Sequence, residues 1–111
     1  YPKFNMLASV WYTRGECAHN LNDEAAALEY AMTAVKTDPA YKYVASCYEL
    51  AVTACNDLVH TSPDGAKVAT ARILELCKEA RAACPDDPGI SNMVDTCERV
   101  YGKSVREGGV Q

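Results

Sequence analysis

The sequence predicts an all-α protein, an antiparallel bundle of about five helices. Three observations predict it: alanine is abundant, runs of β-branched residues are absent, and prolines and polar breakers divide the chain into helix-sized segments. A chain of 111 residues suffices for one modest hydrophobic core. We therefore expect a single domain over residues 1–102, followed by a frayed tail over residues 103–111.

Helix-start and helix-stop residues define these segments in order. The first helix ends in a polar stretch, after which Asn22 or Asp23 can cap the second helix, and Pro39 terminates that second helix. Ser62 and Pro63 suit the start of the fourth helix, as a cap followed by proline at the first helical position. The predicted helices cover residues 4–20, 23–37, 40–60, 63–84 and 91–101.

The third and fourth helices each carry an apolar stripe at spacings of three and four residues, which suits antiparallel neighbours. Small residues in the fourth helix would let the two helix axes approach closely. After a loop rich in proline and glycine, Ser91 or Asn92 is expected to start the last helix, and Gly102 to end it. The stripes consist of Tyr41, Val44, Tyr48, Ala51, Cys55 and Leu58 in the third helix and of Ala66, Ala69, Ile73, Leu76, Ala80 and Ala83 in the fourth.

Six cysteines are dispersed along the chain, without the Cys-x-x-Cys pairs of zinc ribbons or thioredoxin-like redox sites. An even, dispersed set favours three disulfides, and therefore secretion or an organelle lumen as an oxidising location. Cys47 and Cys55 mirror Cys84 and Cys77 about the expected turn at 62–65, so a helical hairpin would bring each pair together. The predicted bridges are Cys47–Cys84, Cys55–Cys77 and Cys17–Cys97.

Two other arrangements of the cysteines stay open. One joins Cys84 with Cys97 across the last loop and Cys17 with Cys47 between neighbouring helices. The other leaves all six as free thiols, because a helical core also accepts cysteine as a small hydrophobic residue.

Charge and motifs disfavour several classes of function. The net charge is −4 and lysine and arginine are scattered, so no basic stripe favours a nucleic-acid partner. No apolar run approaches the roughly 20 residues that span a membrane. Cys17 and His19 lie two residues apart and point to different sides of a helix, which favours neither a nucleophile nor a metal site. We expect no enzyme, no cofactor and no metal.

One tryptophan, one glycine, two alanines and one proline stand at a familiar spacing in the first two predicted helices: Trp11, Gly15, Ala27, Ala34 and Pro39. With these residues, the segment 8–41 resembles a single degenerate tetratricopeptide repeat, a helical hairpin of about 34 residues. No second repeat follows in register. The resemblance implies two packed antiparallel helices, and repeats of this kind usually bind protein segments.

The leading hypothesis from the sequence is a non-catalytic protein–protein interaction module, either a secreted signal or effector or a lumenal accessory subunit of a larger assembly. A helical bundle cross-linked by three disulfides would present a preorganised surface to a receptor or an assembly neighbour. Tyr12, Tyr30 and Tyr43 are candidate aromatic residues of that surface. One alternative is a carrier of a small apolar ligand between helices, and another is an intracellular repeat-type adaptor with free thiols.

Overall fold

The structure, a computed structural model, describes residues 2–61 and 66–102, with the backbone alone for residues 2–6 and 66–68. Within those residues it is helical, with five α-helices and one π-helical segment and no strand. The predicted all-α class is therefore confirmed. The elements are α1 (Pro2–Asn20), α2 (Glu24–Thr37), α3 (Val44–Thr61), α4 (Ala66–Ala83), α5 (Pro88–Cys97) and the π segment (Glu98–Gly102).

The turn between α1 and α2 lies where the sequence predicts it. Asp23 caps α2, because its carboxylate accepts a hydrogen bond from the N–H of Ala26 at 3.3 Å. Asn22 has a φ of 62°, a left-handed conformation that asparagine tolerates better than most residues. The chain therefore reverses sharply, and α2 packs back on α1.

The start of α3 differs from the predicted start. The helix begins at Val44 rather than at residue 40, because the chain first turns after Pro39. In that turn the Asp38 carboxylate accepts a hydrogen bond from the N–H of Ala40 at 3.1 Å. Tyr41 is buried ahead of the helix, not on its stripe.

The last helix also differs at both ends. It begins at Pro88, not at residue 91, because Asp87 caps it by accepting a hydrogen bond from the N–H of Ile90 at 2.9 Å. At its end the backbone widens into the π segment, in which the Tyr101 hydroxyl donates to the side-chain oxygen of Asn56 on α3. The predicted start of the fourth helix at residues 62–63 and the predicted tail lie outside the described residues.

The helices pack in chain order. Each packs mainly on the next, while α1 also touches α3 and α3 also touches α5. The result is an elongated stack with principal extents of 50 × 31 × 17 Å, in which α1, α3 and α5 share one layer. In the described part of the chain, no helix combines the length and apolar composition that crossing a bilayer needs.

The core runs through all five helices. Its largest fully buried side chains lie on α3, α4 and α5, whereas a second cluster of buried alanines lies between α1, α2 and α3. Of the predicted stripes, Tyr48, Ala51 and Cys55 in α3 and Ile73, Leu76 and Ala80 in α4 are buried. Val44, Leu58 and Ala69 are half-buried, Ala83 is exposed, and the side chain of Ala66 lies outside the described part of the structure. The largest fully buried aliphatic side chains are Ile73, Leu76, Ile90 and Val94.

All six cysteines fall within the described residues, and all are free thiols, so none of the three predicted bridges is formed in this structure. Four of them are buried in the core, Cys84 is half-buried and Cys17 is exposed. The thiols of Cys77 and Cys97 are both buried, and each shifts the pKa of the other across the contact of α4 and α5. In this structure the helices are held together by apolar packing, not by disulfide bonds.

Candidate functional site

An open groove of about 280 Å³ lies between α1 and α3. It exists because these two helices share a layer and present facing rows of side chains at spacings of three and four residues. Those rows are mostly polar. α1 contributes Tyr12, Glu16, His19 and Asn20, and α3 contributes Ser46, Glu49, Leu50 and Thr53.

The groove is acidic. Glu16 lies on the α1 wall and Glu49 on the α3 wall, and the described residues that line it include no lysine or arginine. The Tyr12 hydroxyl interacts with Glu16 on its own helix and with Ser46 across the groove. Burial, followed by the charge of Glu16, raises the pKa of Tyr12, so its hydroxyl stays protonated and can donate a hydrogen bond.

Three polar side chains meet beside the groove. His19 comes from the end of α1, Glu24 is the first residue of α2, and Asp57 lies on α3. Their nitrogen and oxygen donor atoms all lie within 4.8 Å of one another. We call this group the His19–Glu24–Asp57 cluster. His19 belongs to both features, since it also lines the groove.

The cluster is held by one hydrogen-bonded pair. Nδ1 of His19 lies 2.9 Å from Oε2 and 3.0 Å from Oε1 of Glu24, and since a carboxylate only accepts, Nδ1 carries the proton. The Glu24 residue is only 8% exposed, whereas the His19 side chain is 33% exposed. The hydrogen bond to Glu24, aided by the charges of Glu24 and Asp57, raises the pKa of His19 against a lowering by burial.

The three predicted surface tyrosines lie against different neighbours. Tyr12 lines the groove, while Tyr30 on α2 packs on Trp11 with ring centroids 5.7 Å apart. Tyr43 lies in the turn before α3, edge-on to Tyr41 at 5.6 Å and half exposed. Of the three, Tyr12 is the one that the structure combines with other polar groups in a concave surface.

The core thiols are poorly suited to reaction. Burial raises the pKa of Cys47 to about 12 and that of Cys55 to about 11, so both stay protonated near neutral pH. The hydrogen bond with Cys97, together with burial, raises the pKa of Cys77, and the same bond lowers that of Cys97. Cys17, although exposed, does not line the groove.

The sequence did not point to the groove or to the cluster. In the sequence, His19 stands out only beside Cys17, and Asp23 only as a possible cap of the second helix. The short turn between α1 and α2 is a local signal that places His19 near Glu24. No local sequence signal places Asp57 near these two residues, because its position depends on the packing of α3 against α1 and α2. Comparisons with protein-family models, curated proteins and solved structures found no match for this chain. The function of the groove and of the cluster is therefore inferred from their geometry.

Proposed function

We propose that this chain is a non-catalytic protein-interaction module that binds a basic, extended segment of a partner protein in the groove between α1 and α3. The observation that carries the proposal is the acidic, open groove. Glu16 and Glu49 face it from opposite walls, with no lysine or arginine among the described lining residues to neutralise them. The net charge of −4 adds a long-range attraction for a basic partner.

The size of the groove supports a short segment. A volume of about 280 Å³ lies at the lower edge of ligand pockets and holds one or two side chains, not a folded surface. Tyr12 and Leu50 offer apolar area for the aliphatic stem of a lysine or arginine, whose charged end can then reach a carboxylate. An interface this small predicts weak, salt-sensitive binding.

The groove does not favour the alternative of a carrier for a small apolar ligand. Its lining is open and mostly polar, with Tyr12 and Leu50 as its main apolar members. An apolar ligand would leave the carboxylates of Glu16 and Glu49 without partners.

The expected result of neutralising the groove is weaker peptide binding. The double variant Glu16→Gln/Glu49→Gln should bind a fluorescent lysine- and arginine-rich decapeptide about tenfold more weakly than the parent protein, since each partly exposed ion pair contributes up to about 1 kcal/mol. Fluorescence anisotropy at low and at physiological salt measures the dissociation constants, and an acidic decapeptide serves as the negative probe.

A matched control separates the groove from net charge. Glu29→Gln/Glu79→Gln removes the same two charges from exposed positions on α2 and α4, outside the groove, and should leave affinity nearly unchanged. Equal loss in both double variants, or no binding of the basic peptide at any salt concentration, would show that the groove is not the binding site.

We further propose that the protein works in an oxidising compartment, secreted or lumenal, with its cysteines in disulfides. Six cysteines in 111 residues support this. Each bridge would form during folding, while its thiols are still accessible, by exchange with a disulfide of that compartment, which is reduced to two thiols. The spacing of the cysteines favours the ladder Cys47–Cys84, Cys55–Cys77 and Cys17–Cys97, whereas the thiol contact of Cys77 with Cys97 favours a different bridge.

Peptide mapping after alkylation, without reductant, distinguishes these proposals. The ladder predicts three linked peptide pairs, and a Cys77–Cys97 link would replace two of its bridges. Six alkylated thiols in denatured protein taken from its native location would contradict the oxidising compartment. That result would favour the intracellular adaptor with free thiols.

A further inference from the structure

We propose that the His19–Glu24–Asp57 cluster binds a divalent transition-metal ion, and that zinc is the ion its donor set fits best. A metal ion at the cluster does not require a peptide in the groove, although His19 belongs to both. Three features of the cluster favour an ion: the spacing of its donor atoms, its uncompensated negative charge, and the nature of its donors.

The donor atoms are nearly close enough for a common ion. Zinc holds nitrogen and oxygen ligands at about 2.0 to 2.2 Å, so two ligands of one tetrahedral zinc lie about 3.4 Å apart. Nδ1 of His19 and the Glu24 oxygens are 2.9 and 3.0 Å apart, and every donor lies within 4.8 Å of the others. The longest separation therefore has to shrink by about 1.4 Å at most, within the reach of a side-chain adjustment at Asp57.

The cluster carries more negative charge than its partners neutralise. Both Glu24 oxygens share the single proton of Nδ1, although a carboxylate can accept about four hydrogen bonds and this one is nine-tenths buried. Among the described residues, no lysine or arginine forms an ion pair with Glu24 or Asp57. Buried carboxylates are ordinarily paired or coordinate a metal, and a dication would supply the missing positive charge.

The donors select the class of ion. One imidazole nitrogen with two carboxylate oxygens suits zinc and its neighbours, whereas magnesium and calcium prefer oxygen ligands throughout. Three protein ligands leave a position for water or for a group of a partner, and the partly exposed His19 keeps the cluster accessible from the groove. The ion would take the place of the Nδ1 proton.

A simple ion pair between His19 and Glu24 would account for two of the three residues without any metal. It would not require Asp57. The variant Asp57→Asn therefore separates the two interpretations, because it keeps the size of the side chain and leaves the His19–Glu24 pair in place while removing one charged ligand.

Isothermal titration with zinc tests the site, on protein whose cysteines are in the oxidation state that peptide mapping finds. Where Cys17 is a free thiol, as in this structure, the protein should carry Cys17→Ser, because an exposed thiol two residues from His19 can itself bind zinc. We expect one zinc per chain, not displaced by millimolar magnesium or calcium, and at least about tenfold weaker binding in Asp57→Asn. Asp86→Asn, in the exposed loop before α5, should bind as the parent does.

Cobalt provides a second measurement that identifies the ligands. Bound at the cluster, it should show visible d–d bands without the near-ultraviolet bands of cobalt–thiolate bonds, and His19→Gln should abolish them. Circular dichroism and thermal unfolding of each metal-free variant establish that it is folded. Zinc affinity unchanged in Asp57→Asn, thiolate bands with cobalt, or the lack of stoichiometric binding would overturn the proposal.

Discussion

Replacing Leu76 with alanine is expected to lower the free energy of unfolding by about 3 to 5 kcal/mol. Leu76 is fully buried, at 0% exposure, within the part of the core where α4 meets its neighbours. Truncation removes buried methyl groups and leaves a cavity that helices anchored on both sides cannot close. For a domain of this size the loss is a large fraction of the total stability.

Chemical denaturation followed by circular dichroism measures this effect. The matched control is Leu21→Ala, the same substitution at a leucine that is 79% exposed in the turn before α2, and it should change stability by less than about 0.5 kcal/mol. Similar losses in the two variants would mean that Leu76 does not occupy the core position described for it.

Replacing Gly15 with valine is expected to destabilise the fold by about 3 kcal/mol. A Cβ atom added at Gly15 would lie 2.9 Å from Cδ2 of Leu50, 3.4 Å from the carbonyl oxygen of Ala27 and 3.5 Å from the nitrogen of Ala31. The leucine side chain can move, but the backbone of α2 cannot. Two further methyl groups would therefore push α1 away from α2 and α3.

Gly15→Ala should lower the free energy of unfolding much less than Gly15→Val. The helix propensity of alanine is better than that of glycine by about 1 kcal/mol, which offsets most of the steric strain of the added Cβ atom. Thr13→Val, on an exposed face of α1, is the control for valine in this helix and should be nearly neutral. If Gly15→Val were as stable as Thr13→Val in denaturation experiments, the close contact of α1 with α2 and α3 would be wrong.

Much of the fold follows from local signals in the sequence. Breakers and alanine content predict the order of the helices, and the cap at Asp23 is confirmed by its hydrogen bond. The start of the last helix was mispredicted because proline both ends helices and begins them, and here Asp87 makes Pro88 a beginning. The π segment at the other end of this helix was not predicted, and there Val100 is 53% exposed because the wider π turn changes the helical phase.

The candidate site was far less predictable, because it depends on which helices share a layer. The resemblance to a tetratricopeptide repeat covers α1 and α2 but ends at residue 41, before α3 begins. The sequence therefore did not predict that α3 lies opposite Tyr12 across a groove, or that Asp57 lies close to His19. Both follow from the direct contact of α1 with α3.

The cysteines illustrate a related limit. Mirror spacing about a turn gives the level of each residue along a helical hairpin, but it does not give the direction in which the side chain points. Cys55 and Cys77 are both buried, yet the thiol of Cys77 turns toward Cys97 on α5. The rotation of a helix about its own axis depends on all the helices that pack against it. The cysteine spacing describes only α3 and α4, so it cannot predict how α5 changes the rotation of α4.

The packing of each helix on the next has a consequence for how the chain folds. Most stabilising contacts join helices that are neighbours in sequence. Few long loops therefore have to close, at a cost in chain entropy, before these contacts lower the free energy of the chain. Helical proteins with such local contacts fold within about microseconds to milliseconds. We expect α1 and α2 to pair while the rest of the chain is still being synthesised, so that folding proceeds in the order of translation.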